Sequence, residues 1–294
     1  MSVFVIAGIT GHTGSVAAGE LLAQGEKVRA IVRNEQKGAA WRKSGAELAV
    51  GTLEDAAFLA RTLAGADGFF VLLPPNPGGD DFYQAQRRIA DRIAPAVKES
   101  AVPHVVMLSS VGAELAEGTG PIKGLHYLEE VLRATGTKLT AIRASFFQEN
   151  IASIIPAARQ MGIYPNFLPP ADFAIPMIAT EDIGRLAAKL LKSPPPSSEA
   201  VDLAGPEYSA RQLSDKLGAA LGKPLRIVDI PPAGHIEALT QAGVPLPTAR
   251  VLAEMYGALG SGLIRANGDR RVEGTTPIDG LIAGLVAQPA SGHS

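Results

Sequence analysis

Three glycines at a spacing of three residues stand near the amino terminus: Gly8, Gly11 and Gly14. They follow a short β-branched run that begins at Val3, and they precede a stretch of helical periodicity over residues 15–23. Gly8 permits a turn at the end of the strand, Gly11 lets a diphosphate approach the backbone, and Gly14 lets the helix pack on the strand. The first helical turn would then direct free N–H groups at the diphosphate. The pattern predicts a dinucleotide site, with a tight strand–helix turn as the alternative.

The residues between these glycines belong to the same predicted phosphate loop, and they are Thr10, His12 and Thr13. His12 is expected to face solvent beside the diphosphate rather than to take part in chemistry.

A basic residue stands at the position that is expected to distinguish NAD from NADP. Arg33 follows a predicted strand over residues 27–32, at the position where NAD-preferring Rossmann domains carry an acid for the ribose 2′-hydroxyl. The first acid is Glu35, and Lys37 lies one helical turn after Arg33. A guanidinium can pair with a 2′-phosphate and stack on adenine. We therefore predict NADP(H) as the cofactor and NAD as the less favoured one; an exposed loop arginine is the alternative.

Two serines, Ser109 and Ser110, follow a predicted strand over residues 102–108. Ligands collect at the carboxyl ends of strands in open α/β sheets. A hydroxyl there can bond a substrate carbonyl or the nicotinamide amide, and a serine pair that satisfies local backbone groups is the alternative. A serine hydrolase is disfavoured because the sequence lacks a Gly-x-Ser-x-Gly elbow.

Strands and helices alternate along the first half of the chain and must position these residues. Further strands are predicted over 46–50, 68–73 and 138–143, with helices over 35–43, 80–100 and 122–135. This alternation predicts a Rossmann-type α/β fold with a doubly wound parallel sheet over residues 1–150. Prolines then break the pattern, and residues 151–287 are predicted to form a smaller C-terminal α/β region, partly interleaved with the sheet. Residues 288–294 are expected to be a disordered tail.

Composition excludes several other classes of function. The 294 residues include 27 Lys and Arg and 29 Asp and Glu, without a block of like charge that would indicate a nucleic-acid face or a membrane anchor. The absence of cysteine excludes thiol chemistry, and the five histidines lack the spacing of a metal site. No apolar run is long enough to span a membrane, and no basic region precedes the first strand. We therefore expect a cytoplasmic protein that acts on a small molecule.

Seven segments together resemble the NmrA-like branch of the atypical short-chain dehydrogenase/reductase superfamily. They are GITGHTG at 8–14, AIVR at 30–33, LSSVG at 108–112, EVLRATG at 130–136, IRASFFQEN at 142–150, DIG at 182–184 and LAGPE at 203–207. The resemblance implies a nicotinamide-binding Rossmann half, a small C-terminal substrate region and a cleft between them. Members of this branch include NAD(P)H-dependent quinone and dye reductases, isoflavone-type reductases, and sensors that bind the cofactor without catalysis.

The resemblance also implies roles for residues that follow the third, fourth and sixth strands. It places Thr52 and Leu53 near the adenine, Leu72 and Leu73 beside the ribose, Phe147 at the cofactor, and Phe146, Gln148 and Asn150 in the substrate pocket. An aromatic face there can pack on nicotinamide or on a flat substrate. The alternatives are that the two phenylalanines form core at a domain junction and that Asn150 caps a helix.

The Tyr-x-x-x-Lys pair of the parent superfamily is missing, as it generally is in the NmrA-like branch. Its nearest match starts at Tyr127 but has Val131 in the lysine position. An alignment on Glu130 instead places Ile122 at the tyrosine and His126 at the lysine. His126 is thus a candidate to orient the cofactor or to donate a proton, and a half-buried helix histidine is the alternative.

The leading hypothesis is an NADPH-dependent oxidoreductase that transfers hydride to a small, flat, electron-poor acceptor such as a quinone or dye. Such an acceptor gives a stabilised anion, so a dedicated tyrosine acid is dispensable, and the cofactor carries the chemistry. The competing hypothesis is a non-catalytic NADP(H)-binding redox sensor that acts through other proteins. A sugar epimerase or dehydratase is disfavoured because it needs the missing pair. Monomer and homodimer both remain open.

Overall fold

The structure is a computed structural model, and it describes residues 1–74 and 81–287. The predicted tail at 288–294 and the predicted start of a helix at residue 80 lie outside the described residues. No helix in the described part of the chain combines the length and the apolar character that crossing a bilayer requires.

The described residues form thirteen strands and eleven α-helices. The strands are β1 (Val3–Ile6), β2 (Lys27–Val32), β3 (Glu47–Val50), β4 (Gly68–Val71), β5 (His104–Ser110), β6 (Lys138–Ala144), β7 (Phe146–Phe147), β8 (Ile163–Asn166), β9 (Ala174–Ile178), β10 (Glu199–Ala204), β11 (Glu207–Ser209), β12 (Arg226–Asp229) and β13 (Arg270–Glu273). The helices are α1 (His12–Ala23), α2 (Glu35–Lys43), α3 (Ala56–Leu63), α4 (Phe82–Ser100), α5 (Ile122–Arg133), α6 (Ile155–Met161), α7 (Thr180–Lys192), α8 (Ala210–Leu221), α9 (His235–Gln241), α10 (Leu246–Gly260) and α11 (Asp279–Ala287). A 3₁₀ helix, Gln148–Ile154, joins β7 to α6.

Eight of these strands form one parallel sheet in the order β13-β10-β6-β5-β4-β1-β2-β3. The order reverses direction at β1, so the loops after β1 and β4 border the crevice where doubly wound sheets bind ligands. The predicted Rossmann-type fold is confirmed.

Both faces of the sheet are covered by helices, as the strand sequences require. Phe4 and Ile6 pack into one apolar cluster with residues of α1 and α7, whereas Val5 and Ala7 pack into a second with residues of α3, α4 and α5. This division follows from the period-two alternation of side chains along a strand. Because both faces of β1 are buried, its residues are apolar throughout and do not alternate between apolar and polar.

The C-terminal region adds a third apolar cluster and two small sheets. One sheet has the order β11-β9-β7 and the other pairs β12 with β8. The third cluster includes Tyr164, Tyr208 and Leu217. The same region also supplies β10 and β13 to the central sheet, and it supplies α7, which packs on α1. A Cβ at Gly184 of α7 would lie 2.6 Å from Val16 Cβ, so the two helices approach closely there.

Several elements differ from the sequence-based predictions, among them α1, β5 and β13. The strand β5 extends to Ser110, so Ser109 and Ser110 lie within it rather than after it. The first helix begins at His12 rather than at residue 15, so His12 and Thr13 lie in its first turn and not in the loop before it. The strand β13 was not predicted, because Val272 is its only apolar residue. It pairs in parallel with β10 at the edge of the sheet, where an exposed strand needs little apolar character.

Candidate cofactor and substrate site

The glycine loop after β1 is shaped by close backbone packing. Gly8 has φ +69°, a left-handed conformation that favours glycine, and a Cβ there would lie 2.9 Å from Leu72 Cδ2. A Cβ at Gly14 would collide with Gly8 O. The Gly11 N–H donates to Gly8 O at 2.9 Å, whereas a Cβ at Gly11 would meet, among the described residues, only that oxygen, at 3.4 Å. Gly8 and Gly14 therefore hold the turn together, and Gly11 leaves its outer side open.

The amino end of α1 faces the same opening. Gly11 is the N-cap, and the first turn contains no acidic side chain. Thr10, Gly11 and His12 are exposed, whereas Thr13 is buried beneath them. Unpaired N–H groups at a helix start, without a competing carboxylate, favour an anion. The loop fits a diphosphate on these grounds.

The basic residues predicted to select NADP lie at the same edge of the sheet. β1 and β2 are adjacent and parallel, so Arg33, which follows β2, lies on the side where the glycine loop opens. Arg33 and Lys37 are exposed. Among the described residues, neither side chain has a hydrogen bond or an ion pair, so both remain available to a phosphate.

The four residues predicted to flank the adenosine differ in exposure. Thr52 is exposed, and its Oγ1 accepts from Glu54 N at 3.3 Å. Leu53 is half-buried against the second apolar cluster. Leu72 is half-buried against Gly8, and Leu73 is buried. The loops after β3 and β4 therefore present one hydroxyl and an apolar wall.

The two serines at the end of β5 face different surroundings. Ser109 is buried, and its hydroxyl donates to Glu129 Oε1 at 2.6 Å. Ser110 is half-buried, and its hydroxyl donates to Val111 O at 3.0 Å. Neighbouring residues on a strand point to opposite faces, which accounts for the difference. The Ser109 hydroxyl is thus directed into the protein interior.

His126 on α5 has a partner at each ring nitrogen. Its Nδ1 lies 2.8 Å from Ala113 O, which requires the proton on Nδ1, and its Nε2 lies 3.4 Å from Glu130 Oε2. The ring is half-buried, with its side chain 19% exposed. The contact with Ala113 O attaches the loop after β5 to α5, whereas the contact with Glu130 lies within α5.

A buried ionic cluster lies behind this loop, and sequence reasoning missed it. Arg143 on β6 donates to both carboxylate oxygens of Glu129, at 3.1 and 2.9 Å, and to Glu114 Oε2 at 3.2 Å. Burial acts to lower the pKa of Arg143, but the carboxylates of Glu129 and Glu114 outweigh it and raise the pKa. On the adjacent strand β5, Ser109 lies directly opposite Arg143 in the register of the sheet. The sequence signal for this cluster was a charged residue near the end of a mainly apolar strand.

The segment after β6 divides its side chains between two places. Phe147 packs on the first apolar cluster, whereas Phe146 packs on the third. Gln148 is fully buried, and its Nε2 donates to Met177 O at 3.1 Å and to Thr276 O at 2.8 Å. Asn150 is exposed. Of the three residues predicted to form the substrate pocket, Gln148 thus links the start of the 3₁₀ helix to β9 and to the segment after β13, and the other two face a cavity.

That cavity has a volume of about 590 Å³ and lies in the C-terminal region. Its walls come from residues 146–177, 208–213, 228–244 and 256. The rings of Phe167 and Tyr256 are stacked with centroids 4.9 Å apart at 16°, and Phe146 lies 6.4 Å from Tyr256. Burial raises the pKa of Tyr256 to about 12. Apart from Phe146 and Asn150, sequence reasoning did not identify these walls.

The NmrA-like family matches this chain over residues 1–269. The protein belongs to the NmrA-like family. The predicted resemblance is thereby confirmed. Among curated relatives, the NAD(P)H azoreductase of Xenophilus azovorans is 27% identical over 253 residues, which cover 86% of this chain and 85% of that protein. Quinone oxidoreductase 2 of Escherichia coli (strain K12) is 26% identical over 257 residues, which cover 85% of each.

Solved structures of low identity share the fold. The triphenylmethane reductase of Citrobacter sp. superposes with a TM-score of 0.81 at 20% identity, over 98% of this chain and 100% of that one. The NADPH-dependent quinone oxidoreductase of E. coli, in complex with NADPH, superposes with a TM-score of 0.78 at 22% identity, over 96% and 99%.

Proposed function

We propose that the protein is an NADPH-dependent reductase of a small, flat, electron-poor acceptor such as a quinone or a dye. The observation that carries the proposal is the open glycine turn with Arg33 at the same edge of the sheet, unpaired among the described residues. The curated relatives support it, since one is an NAD(P)H azoreductase and another a quinone oxidoreductase.

In this proposal the carboxyl edge of the sheet holds the cofactor. Gly8, Gly11 and Gly14 let the diphosphate reach the backbone and the start of α1, and Arg33, with Lys37 nearby, pairs with the 2′-phosphate. The loops after β3 and β4, including Thr52, Leu53, Leu72 and Leu73, flank the adenosine. Phe147 and Ser110 lie toward the nicotinamide end.

Bound NADPH supplies a hydride to the acceptor. The hydride brings two electrons, and one proton from water then completes the reduction of a quinone to its hydroquinone. The chain's own residues position the reactants. The hydrogen bond from Nδ1 to Ala113 O ties His126 to the loop after β5, so we assign it to holding that loop rather than to proton transfer.

A redox sensor that binds NADP(H) without turnover is the second candidate. It is favoured by the missing Tyr-x-x-x-Lys pair together with the engagement of His126. Oxidation of NADPH, measured with a panel of quinones and azo dyes, separates the two. Turnover above the rate without protein supports the reductase; tight NADPH binding without turnover for any acceptor supports the sensor.

A further inference from the structure

The large cavity has no charged side chain among its lining residues within the described part of the chain. Its walls are mainly aliphatic and aromatic, and its volume of about 590 Å³ lies in the range of roughly 300–1,000 Å³ that is usual for small-molecule sites. A charged group placed there would lose its hydration without gaining an ionic partner, which is strongly unfavourable.

The polar atoms that line the cavity are mostly engaged within the protein. Asn166 donates to Asp229 Oδ1 at 2.7 Å and accepts from Leu168 N at 3.0 Å. The hydroxyl of Tyr208 accepts from Ile278 N at 3.1 Å. By contrast, the hydroxyls of Tyr164 and Tyr256 have no hydrogen-bond partner among the described residues. Among the described lining residues, these two phenols and the exposed amide of Asn150 are therefore donors that remain for a ligand, and the phenols are the ones held among the aromatic rings.

The aromatic side chains supply a flat binding surface. Tyr256 and Phe167 are stacked, and His235 lies edge-on to both rings with centroids 5.5 Å from Phe167 and 5.9 Å from Tyr256. Aromatic rings favour offset-stacked and edge-on neighbours. A planar ligand can extend such a stack, whereas a branched aliphatic one cannot.

We propose that this cavity receives the body of the acceptor and selects uncharged flat aromatic molecules, with the hydroxyls of Tyr256 and Tyr164 donating to the acceptor's oxygen or nitrogen. The proposal rests on the reductase function proposed above and specifies its substrate class. Burial raises the pKa of both tyrosines, that of Tyr256 to about 12, so both phenols keep their protons near neutral pH.

A pair of fluorescent probes tests the cavity without requiring turnover. N-phenyl-1-naphthylamine is uncharged, and 8-anilino-1-naphthalenesulfonate has the same aromatic body with a sulfonate. We expect the uncharged probe to bind at least about tenfold more tightly, which corresponds to a 1.4 kcal/mol difference. Equal affinities, or tighter binding of the sulfonate, would overturn the proposal.

Substitution of a cavity wall locates the bound probe. Ala157 lies on α6 and lines the cavity, so Ala157→Phe fills space without displacing a packed side chain. We expect it to weaken N-phenyl-1-naphthylamine binding by about tenfold or more, with an unchanged or raised melting temperature. Ala219→Phe, at an exposed position on α8, is the matched control and should leave binding unchanged. Unchanged binding in the folded Ala157→Phe variant would show that the probe lies elsewhere and would contradict the proposal.

Kinetics with a second matched pair test the acceptor itself. The 2-sulfonate of 1,4-naphthoquinone is more electron-poor than the parent quinone, so a lower kcat/KM for the sulfonate must arise from binding. We expect that order, and we expect Tyr256→Phe to lower kcat/KM for the parent quinone by about two- to tenfold, the effect of one hydrogen bond. Tyr127→Phe, whose hydroxyl donates to Asp91 on the surface, should have no effect.

The outcomes separate the two proposals. If the uncharged probe binds in the cavity but none of the tested acceptors supports NADPH oxidation by the protein, the reductase function fails and the cavity assignment stands. If the protein reduces naphthoquinone and Ala157→Phe and Tyr256→Phe change neither probe binding nor kcat/KM, the cavity assignment fails and the reductase function stands.

Discussion

The glycine loop and the aromatic cavity recognise their proposed ligands by opposite means. The loop offers backbone N–H groups and the dipole of α1, and Arg33 adds a charge, so it suits an anion. The cavity offers mainly carbon atoms, with the free phenols of Tyr164 and Tyr256 and a few neutral polar groups, and no charge among its described walls. The loop is fixed by contacts between backbone atoms, such as Gly11 N with Gly8 O, whereas the cavity is fixed by side chains. The comparison indicates that one chain can separate recognition of a charged cofactor from recognition of an uncharged acceptor.

The largest expected effect is the loss of cofactor binding in Gly11→Val. The new side chain would occupy the open side of the loop, where the diphosphate must approach, whereas the backbone at φ −99° tolerates any residue. Titration with NADPH should detect no binding, and circular dichroism should show an intact fold. Gly19→Val on the same helix, where a Cβ meets no atom of the described residues within 4 Å, is the control. NADPH affinity equal to that of the control would mean that the loop is only a turn.

Arg143→Met should have the next largest effect, on the free energy of unfolding. The Arg143 side chain is 9% exposed, and its removal takes from the buried Glu129 its two-hydrogen-bond partner, leaving only the longer ion pair with the partly exposed Arg133 at 3.6 Å. Breaking such a pair typically costs about 3–5 kcal/mol. Urea denaturation measures the change. The double variant Arg143→Met with Glu129→Leu should recover part of the loss, because it removes the buried carboxylate as well. A single-variant loss below about 1 kcal/mol would show that the pair is solvated and not buried.

Arg33→Ala tests the contribution of charge to cofactor binding. A charge-assisted hydrogen bond to a 2′-phosphate is worth enough to weaken NADP(H) binding by about ten- to a hundredfold, with little change for NAD(H). Fluorescence titration with both cofactors measures this. Arg61→Ala, at an exposed position on α3, should change neither affinity. Equal losses for NADPH and NADH in Arg33→Ala would contradict the assignment.

His126→Ala should have the smallest effect, a loss of NADPH affinity worth about 0.5–1.5 kcal/mol, because it releases one hydrogen bond to Ala113 O. Turnover at saturating NADPH should survive. His126→Asn, whose amide can still donate to that carbonyl, should restore most of the affinity. A fall in saturating turnover of about a hundredfold, with unchanged NADPH affinity, would instead identify His126 as a proton donor.

The parts of the fold that depend on consecutive residues were predictable from the sequence. The strand, glycine turn and helix of the loop occupy one short segment, and the helix over 35–43 was predicted with the bounds that the structure shows. The missed features depend on residues that are far apart in the chain. The stacked pair Phe167 and Tyr256 is separated by 89 positions, 256 − 167, and no periodicity connects them. The partners Glu129 and Arg143 each looked like an ordinary charge until burial was known.

Steady-state kinetics of NADPH oxidation with 1,4-naphthoquinone, compared between Arg33→Ala and Ala157→Phe, tests the central claim most directly. The account predicts turnover by the wild-type protein, a raised KM for NADPH alone in Arg33→Ala, and a raised KM for the quinone alone in Ala157→Phe. The absence of turnover above the protein-free rate would contradict the proposed reductase. Variants that raise both KM values together would contradict the separation of the two sites.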